Sequence, residues 1–143
     1  MPKRLIGAAA IIQDAEGRVL LVRHSYGKKN WEIPGGLSEQ DESSENTAIR
    51  EVQEETGLVV TAGRLTGVYY DPEYDMHHFA FICSSADQEL PKASSDEILE
   101  VQFCDADHLP RPISDFTVQR IKHALQANHE QLFHVIGPRQ WLE

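Results

Sequence analysis

Arg50-Glu51-Val52-Gln53-Glu54-Glu55-Thr56-Gly57-Leu58 is the stretch of this 143-residue chain that says most about its fold. Five residues separate Gly36 from Glu42, and seven separate Glu42 from Arg50. An α-helix advances about 100° per residue. Glu54 and Glu55 follow Glu51 by three and four positions, so the three carboxylates share one helix edge. Ala48, Val52 and Thr56 lie on another face, suited to packing on a sheet. Ser43 or Ser44 suits the N-cap, Glu45 favours the first turn, and Gly57 is a natural stop.

Like charges gathered on one helix edge repel each other, and one nearby base, Arg50, does not offset three acids. Such local conflict is expected at functional sites. A hard divalent cation relieves it, because Mg²⁺ prefers carboxylate and phosphate oxygens and keeps positions open for water. A Glu-rich edge on its own is most often solvated surface. The residues around it change that reading.

Gly36, Glu42 and residues 50–58 at these gaps resemble a complete Nudix box, with every fixed position occupied, Val52 and Leu58 included. Trp31-Glu32-Ile33-Pro34-Gly35-Gly36 is similar to that family's lead-in, and the order of strands and helices on both sides is similar as well. Asn46-Thr47 departs mildly from the family's usual small or helix-favouring residues. The resemblance implies an α/β fold, a Nudix-like α/β/α sandwich with a mixed sheet flanked by helices, over residues 1–143 as a single domain. It also implies hydrolysis of a diphosphate linkage in a nucleoside diphosphate joined to another group. Glu51, Glu54 and Glu55 would hold Mg²⁺, with Mn²⁺ the alternative ion. Arg50 would orient a neighbouring carboxylate through charge-assisted hydrogen bonds, and Glu42 would support the site from its loop. Gly36 would allow a tight turn into that loop. The proton of the attacking water would pass to Glu54, Glu55 or the loop acid Glu97. A different class stays open: a Nudix-fold sensor or regulatory module that binds a nucleotide without cleaving it. A related metal-dependent isomerase would need catalytic residues that are not identifiable here.

Residues 5–12 and 18–24 are apolar and β-compatible. The turn 14–17 between them predicts a hairpin. Residues 31–36 form a short extended segment, since Pro34 restricts Ile33 to β-like angles. Strands are expected over 58–70, with a break near Gly63, over 76–83 and over 98–104. A final helix begins at a Ser114 cap and runs to about Ala127. Val118, Ile121, Ala124 and Leu125 give it one apolar stripe. Residues 134–136 could form a short edge or interface strand.

For the substrate, Trp31 and the loop residue Tyr74 are the candidates to stack on a base, with Tyr69, Tyr70 and Phe79 also considered. Arg23, together with His24, Lys28 and Lys29, would attract a phosphate tail. His77 and His78 are adjacent in a strand and point to opposite faces, so they do not suit one metal site. The formal charge of −10 disfavours a nucleic-acid polymer as partner. No apolar run approaches the roughly 20 residues of a membrane span, and the N-terminus does not read as a secretory signal, so a cytoplasmic location is the expectation. Cys83 and Cys104 read as small buried hydrophobes rather than a disulfide or zinc pair. The apolar residues within 133–142, Trp141 among them, are candidates for a homodimer contact.

Overall fold

The computed structural model describes residues 5–85, 89–126 and 130–143. The expected end of the last helix at Ala127 and the basic N-terminal residues Lys3 and Arg4 lie outside the described residues. In chain order the elements are β1 (Leu5–Ile11), β2 (Val19–His24), β3 (Trp31–Glu32), β4 (Gly35–Leu37), α1 (Ser44–Thr56), β5 (Val60–Asp71) and β6 (Met76–Ser85). β7 (Ile98–Cys104), β8 (Ile113–Ser114), α2 (Asp115–Leu125), β9 (Phe133–Val135) and β10 (Trp141–Leu142) follow.

Two strands set the arrangement. β2 is buried at every position from Val19 to Val22, and β1 from Gly7 to Ile11. Alternate side chains of a strand point to opposite faces. A strand apolar on both faces therefore needs a layer on each side. Ala8, Ala10 and Leu20 enter one core, with Ala48 and Val52 of α1. Ala9, Ile11, Val19 and Leu21 enter a second core, with Ile121 and Ala124 of α2. The result is a sandwich in which α1 closes one core and α2 the other. Each fully buried aliphatic side chain contributes about 1.5–3 kcal/mol.

The expected mixed sheet is divided in two. One sheet has the order β4-β1-β6-β5-β9, the other β10-β8-β3-β2-β7. Each is mixed: β1 runs parallel to β6, β5 to β9 and β3 to β8, while the remaining pairs are antiparallel. The hairpin expected from β1 and β2 does not form, because the two strands lie in different sheets. The turn itself is present: Asp14 accepts from the Glu16 and Arg18 amides at 3.0 and 2.9 Å, and Gly17 has φ 80°. Past the turn the strands hold only the Gln13–Val19 bridge and a 2.9 Å bond from Leu20 N–H to the Ile12 carbonyl. Turn chemistry is local, whereas strand pairing is set by which partner buries both faces.

The ends of the helices follow local rules. Ser43 caps α1 by accepting from the Asn46 amide at 3.1 Å, and Gly57 closes it at φ 79°. Ser114 caps α2 in the same way through Thr117. β9 lies at a sheet edge, parallel to β5, where the short strand at 134–136 was expected. Cys83 and Cys104 are buried and free, as read from their neighbours. Among the described residues no helix is long and apolar enough to cross a membrane.

Candidate active site

α1 brings its acidic edge against β4. Glu55 is 7% exposed, and its Oε1 accepts from the Gly35 amide at 2.9 Å. Glu51 lies beside Gly36: a Cβ built there would fall 2.5 Å from the Glu51 carboxyl carbon. Gly36 does not adopt the left-handed conformation, so its role is clearance for a carboxylate rather than the tight turn expected of it. Glu54 is the open member, with its side chain 53% exposed. The three acids share the predicted edge, yet each has a different environment.

Arg50 ties this edge to the preceding loop. Its Nε and Nη2 donate to the two oxygens of Glu42 at 2.8 and 3.0 Å. Nη1 donates to Glu51 at 3.0 Å and to Glu54 at 3.2 Å, and Nη2 also reaches the Leu37 carbonyl at 3.0 Å. Paired guanidinium–carboxylate bonds are strong and directional. The guanidinium, with Thr47 and the Glu39 amide assisting, holds the Glu42 carboxyl down at about 2. The contacts expected of Arg50 with neighbouring carboxylates are present.

Electrostatics separate the acids further. Burial pushes the Glu55 carboxyl up to about 8; the Gly35 amide opposes this, and the charges of Glu51, Glu32 and Glu97 add to it. Burial also raises Glu51, with Arg50 acting against it. Glu97 precedes β7 on an exposed loop, and its charge adds a minor upward push on both Glu51 and Glu55. Among the described residues no three acidic, His or Cys side chains are already drawn into a metal cage. The donor set nevertheless fits a hard divalent ion: three carboxyl groups that repel one another, two of them desolvated, with no cation among the described residues paired to Glu55.

A cleft of about 170 Å³ opens beside this edge, with Gly35 and Gly36 in its wall. Of the residues expected to bind substrate, Phe79 and His24 line it, whereas Trp31, Arg23 and Tyr74 do not. Trp31 is 6% exposed and packs in the second core with Ile33, Ile113 and Ile121, so its indole is structural. Arg23 donates to the Lys29 carbonyl at 3.0 Å and pairs with Glu100 at 3.2 Å. Tyr74 is exposed in the turn between β5 and β6. In place of these, Tyr26, Glu32, His78, Phe116, Arg120 and Arg139 line the cleft. His24 is there too, stacked on Tyr26 at 4.7 Å; alternation along β2 sends His24 and Arg23 to opposite faces. His77 and His78 do face apart, His77 toward Tyr70 and His78 toward Phe116. One signal for the missed residues was in the chain: Phe116 and Arg120 stand four apart on α2, on the same flank. The position of Glu32 beside the glycines was another.

Residues 3–125 match the family model described as NUDIX domain. A MutT-like protein of Streptomyces ambofaciens is 30% identical over 124 residues, covering 87% of this chain and 79% of that one. An ADP-ribose pyrophosphatase of Methanocaldococcus jannaschii is 31% identical over 106 residues, covering 70% of this chain and 62% of its own length. The crystal structure of a NUDIX hydrolase from Nitrosomonas europaea has the same fold, with a TM-score of 0.81 at 21% identity over 95% of this chain and 80% of that one. The chain belongs to the Nudix family and is a Nudix hydrolase.

Proposed function

We propose that this Nudix hydrolase cleaves a diphosphate linkage in a nucleoside diphosphate joined to another group, in an Mg²⁺-dependent reaction, with Mn²⁺ able to substitute. One observation carries the reading: Glu51 and Glu55 are pressed against the Gly35–Gly36 strand at the wall of a cleft, with Arg50 bracing the edge from outside. Glu51, Glu54 and Glu55 would hold the ion, which would supply Lewis-acid polarisation of the diphosphate. Arg50 keeps Glu51 and Glu54 oriented, and the Gly35 amide fixes Glu55. Glu54, the open carboxylate, is the first choice to take the proton of the attacking water. Glu55 and Glu97 are the alternatives, Glu97 because its charge reaches the same site. The named activity of the Methanocaldococcus relative supports a nucleoside diphosphate substrate.

On this proposal residues 1–143 form one domain that works in the cytoplasm. The open edge of β9, where Phe133 is 50% and Val135 65% exposed, would be the homodimer contact.

The test is product identification on a nucleotide panel, with and without Mg²⁺. The expected outcome is a nucleoside monophosphate released only with the ion. In E54Q, turnover should fall by about 100-fold or more while the melting temperature holds. Tight binding without product would instead make the chain a non-catalytic sensor.

A further inference from the structure

Glu32 follows the buried Trp31 and lines the cleft. Its Oε1 takes three hydrogen bonds: from Arg120 Nη2 at 2.7 Å, from Thr117 Oγ1 at 2.8 Å and from its neighbour's amide, Ile33 N–H, at 2.9 Å. Oε2 takes no hydrogen bond from any described residue, and the side chain is 23% exposed. Arg120 is itself 5% exposed, with its guanidinium 3.9 Å from the centre of the Phe116 ring. The carboxylate is therefore clamped through one oxygen, which leaves the other as a hydrogen-bond acceptor for the cleft.

We propose that Glu32 Oε2 is the specificity-determining acceptor of the cleft, reading an N–H donor on the edge of a planar ring in the substrate. This rests on the nucleotide reading above. The cleft's size supports a ring: pockets for whole drug-sized ligands run about 300–1,000 Å³, and about 170 Å³ holds one ring system rather than an entire nucleoside diphosphate. Among its apolar wall residues, half-buried Phe79 suits a face of that ring. The donors around Oε1 also constrain what a substitution does. In Glu32→Gln the amide oxygen must take the place of Oε1, because three donors point there. The NH₂ group then replaces Oε2, and the acceptor becomes a donor.

The experiment is calorimetric titration of the wild type and E32Q with nucleoside 5′-monophosphates. AMP, GMP, IMP, CMP and UMP carry N–H donors on the base; purine riboside 5′-monophosphate carries none. The wild type should bind at least one donor-bearing base about tenfold tighter than the donor-free purine, the effect of one hydrogen bond to a charged group. E32Q should erase that preference. A wild type that binds the donor-free purine equally well, or binds no member of the set, overturns the proposal. So does an E32Q protein that keeps the preference. A loss in E32Q that tracks AMP against 2′-deoxy-AMP would place the donor on the ribose and overturn the ring assignment. Removing the charge beside buried Arg120 can lower stability, and if E32Q does not fold, the wild-type comparison decides alone. Failure here leaves product release by the wild type with Mg²⁺ intact, whereas failure of the hydrolase reading abolishes it.

Discussion

Gly36 has no side chain because the Glu51 carboxylate occupies the space a side chain would need. Gly36→Ala should thus act on the site more than on the fold. The added Cβ would meet Glu51 at 2.5 Å, closer than van der Waals contact, and must push the carboxylate outward. Rearranging a positioned group by about 1 Å costs on the order of 100-fold in rate. The expected outcome is a turnover loss of that size with the melting temperature lowered by a few degrees. An active, unshifted Gly36→Ala protein would return the glycine to a role in backbone turning. At this scale the sequence was legible for Arg50, Glu51, Glu54 and Glu55, since helical geometry alone places them on one edge. It was not legible for Trp31. An aromatic ring beside a motif can stack on a base or fill a core, and only the surrounding packing separates the two.

At the scale of elements, α1 carries the site, so its ends govern how well the acids are held. The Ser43 hydroxyl satisfies one of the open amides of the first turn. Ser43→Ala should destabilise the protein by about 1 kcal/mol. Measured by denaturant midpoint, the change should leave the slope of the transition unaltered. The effect on turnover should be small, because Glu51 lies two turns further along and is braced by Arg50. Both helix caps and the strand at 98–104 follow from local chemistry, and they stand where the pattern puts them. The β1–β2 hairpin does not. Its turn is locally encoded, but the pairing of two doubly apolar strands depends on layers far away in the chain.

At the scale of the molecule, the cleft gathers charge from several elements. His78 on β6 faces Arg120 from α2, Arg139 from the segment before β10 and Asp71 from the end of β5. Burial, then the two guanidinium charges, push its imidazole down to about 4, against a smaller upward pull from Asp71. A lowered His pKa means that the unfolded chain binds the proton more readily. The associated stability is present above the ordinary value of 6.5 and is lost as pH falls from 6.5 toward 4. The loss should be on the order of 2–3 kcal/mol. Denaturation measured across this window should show the decline in the wild type and a flatter profile in His78→Phe. An equally steep profile in the variant would assign the decline to other groups.

Spacing along one helix was enough to place three acids and their arginine together, because the helix repeat is a property of the backbone and needs no tertiary partner. Strand alternation likewise separated His77 from His78. The cleft is a different matter. Its wall brings together Tyr26, Glu32, His78, Phe116, Arg120 and Arg139 from distant parts of the chain. Their encounter depends on two sheets being enclosed between two helices, a non-local outcome of burying strands on both faces. No periodicity in the chain encodes which oxygen of Glu32 is clamped and which is left open; that follows only once Arg120 and Thr117 have packed against it.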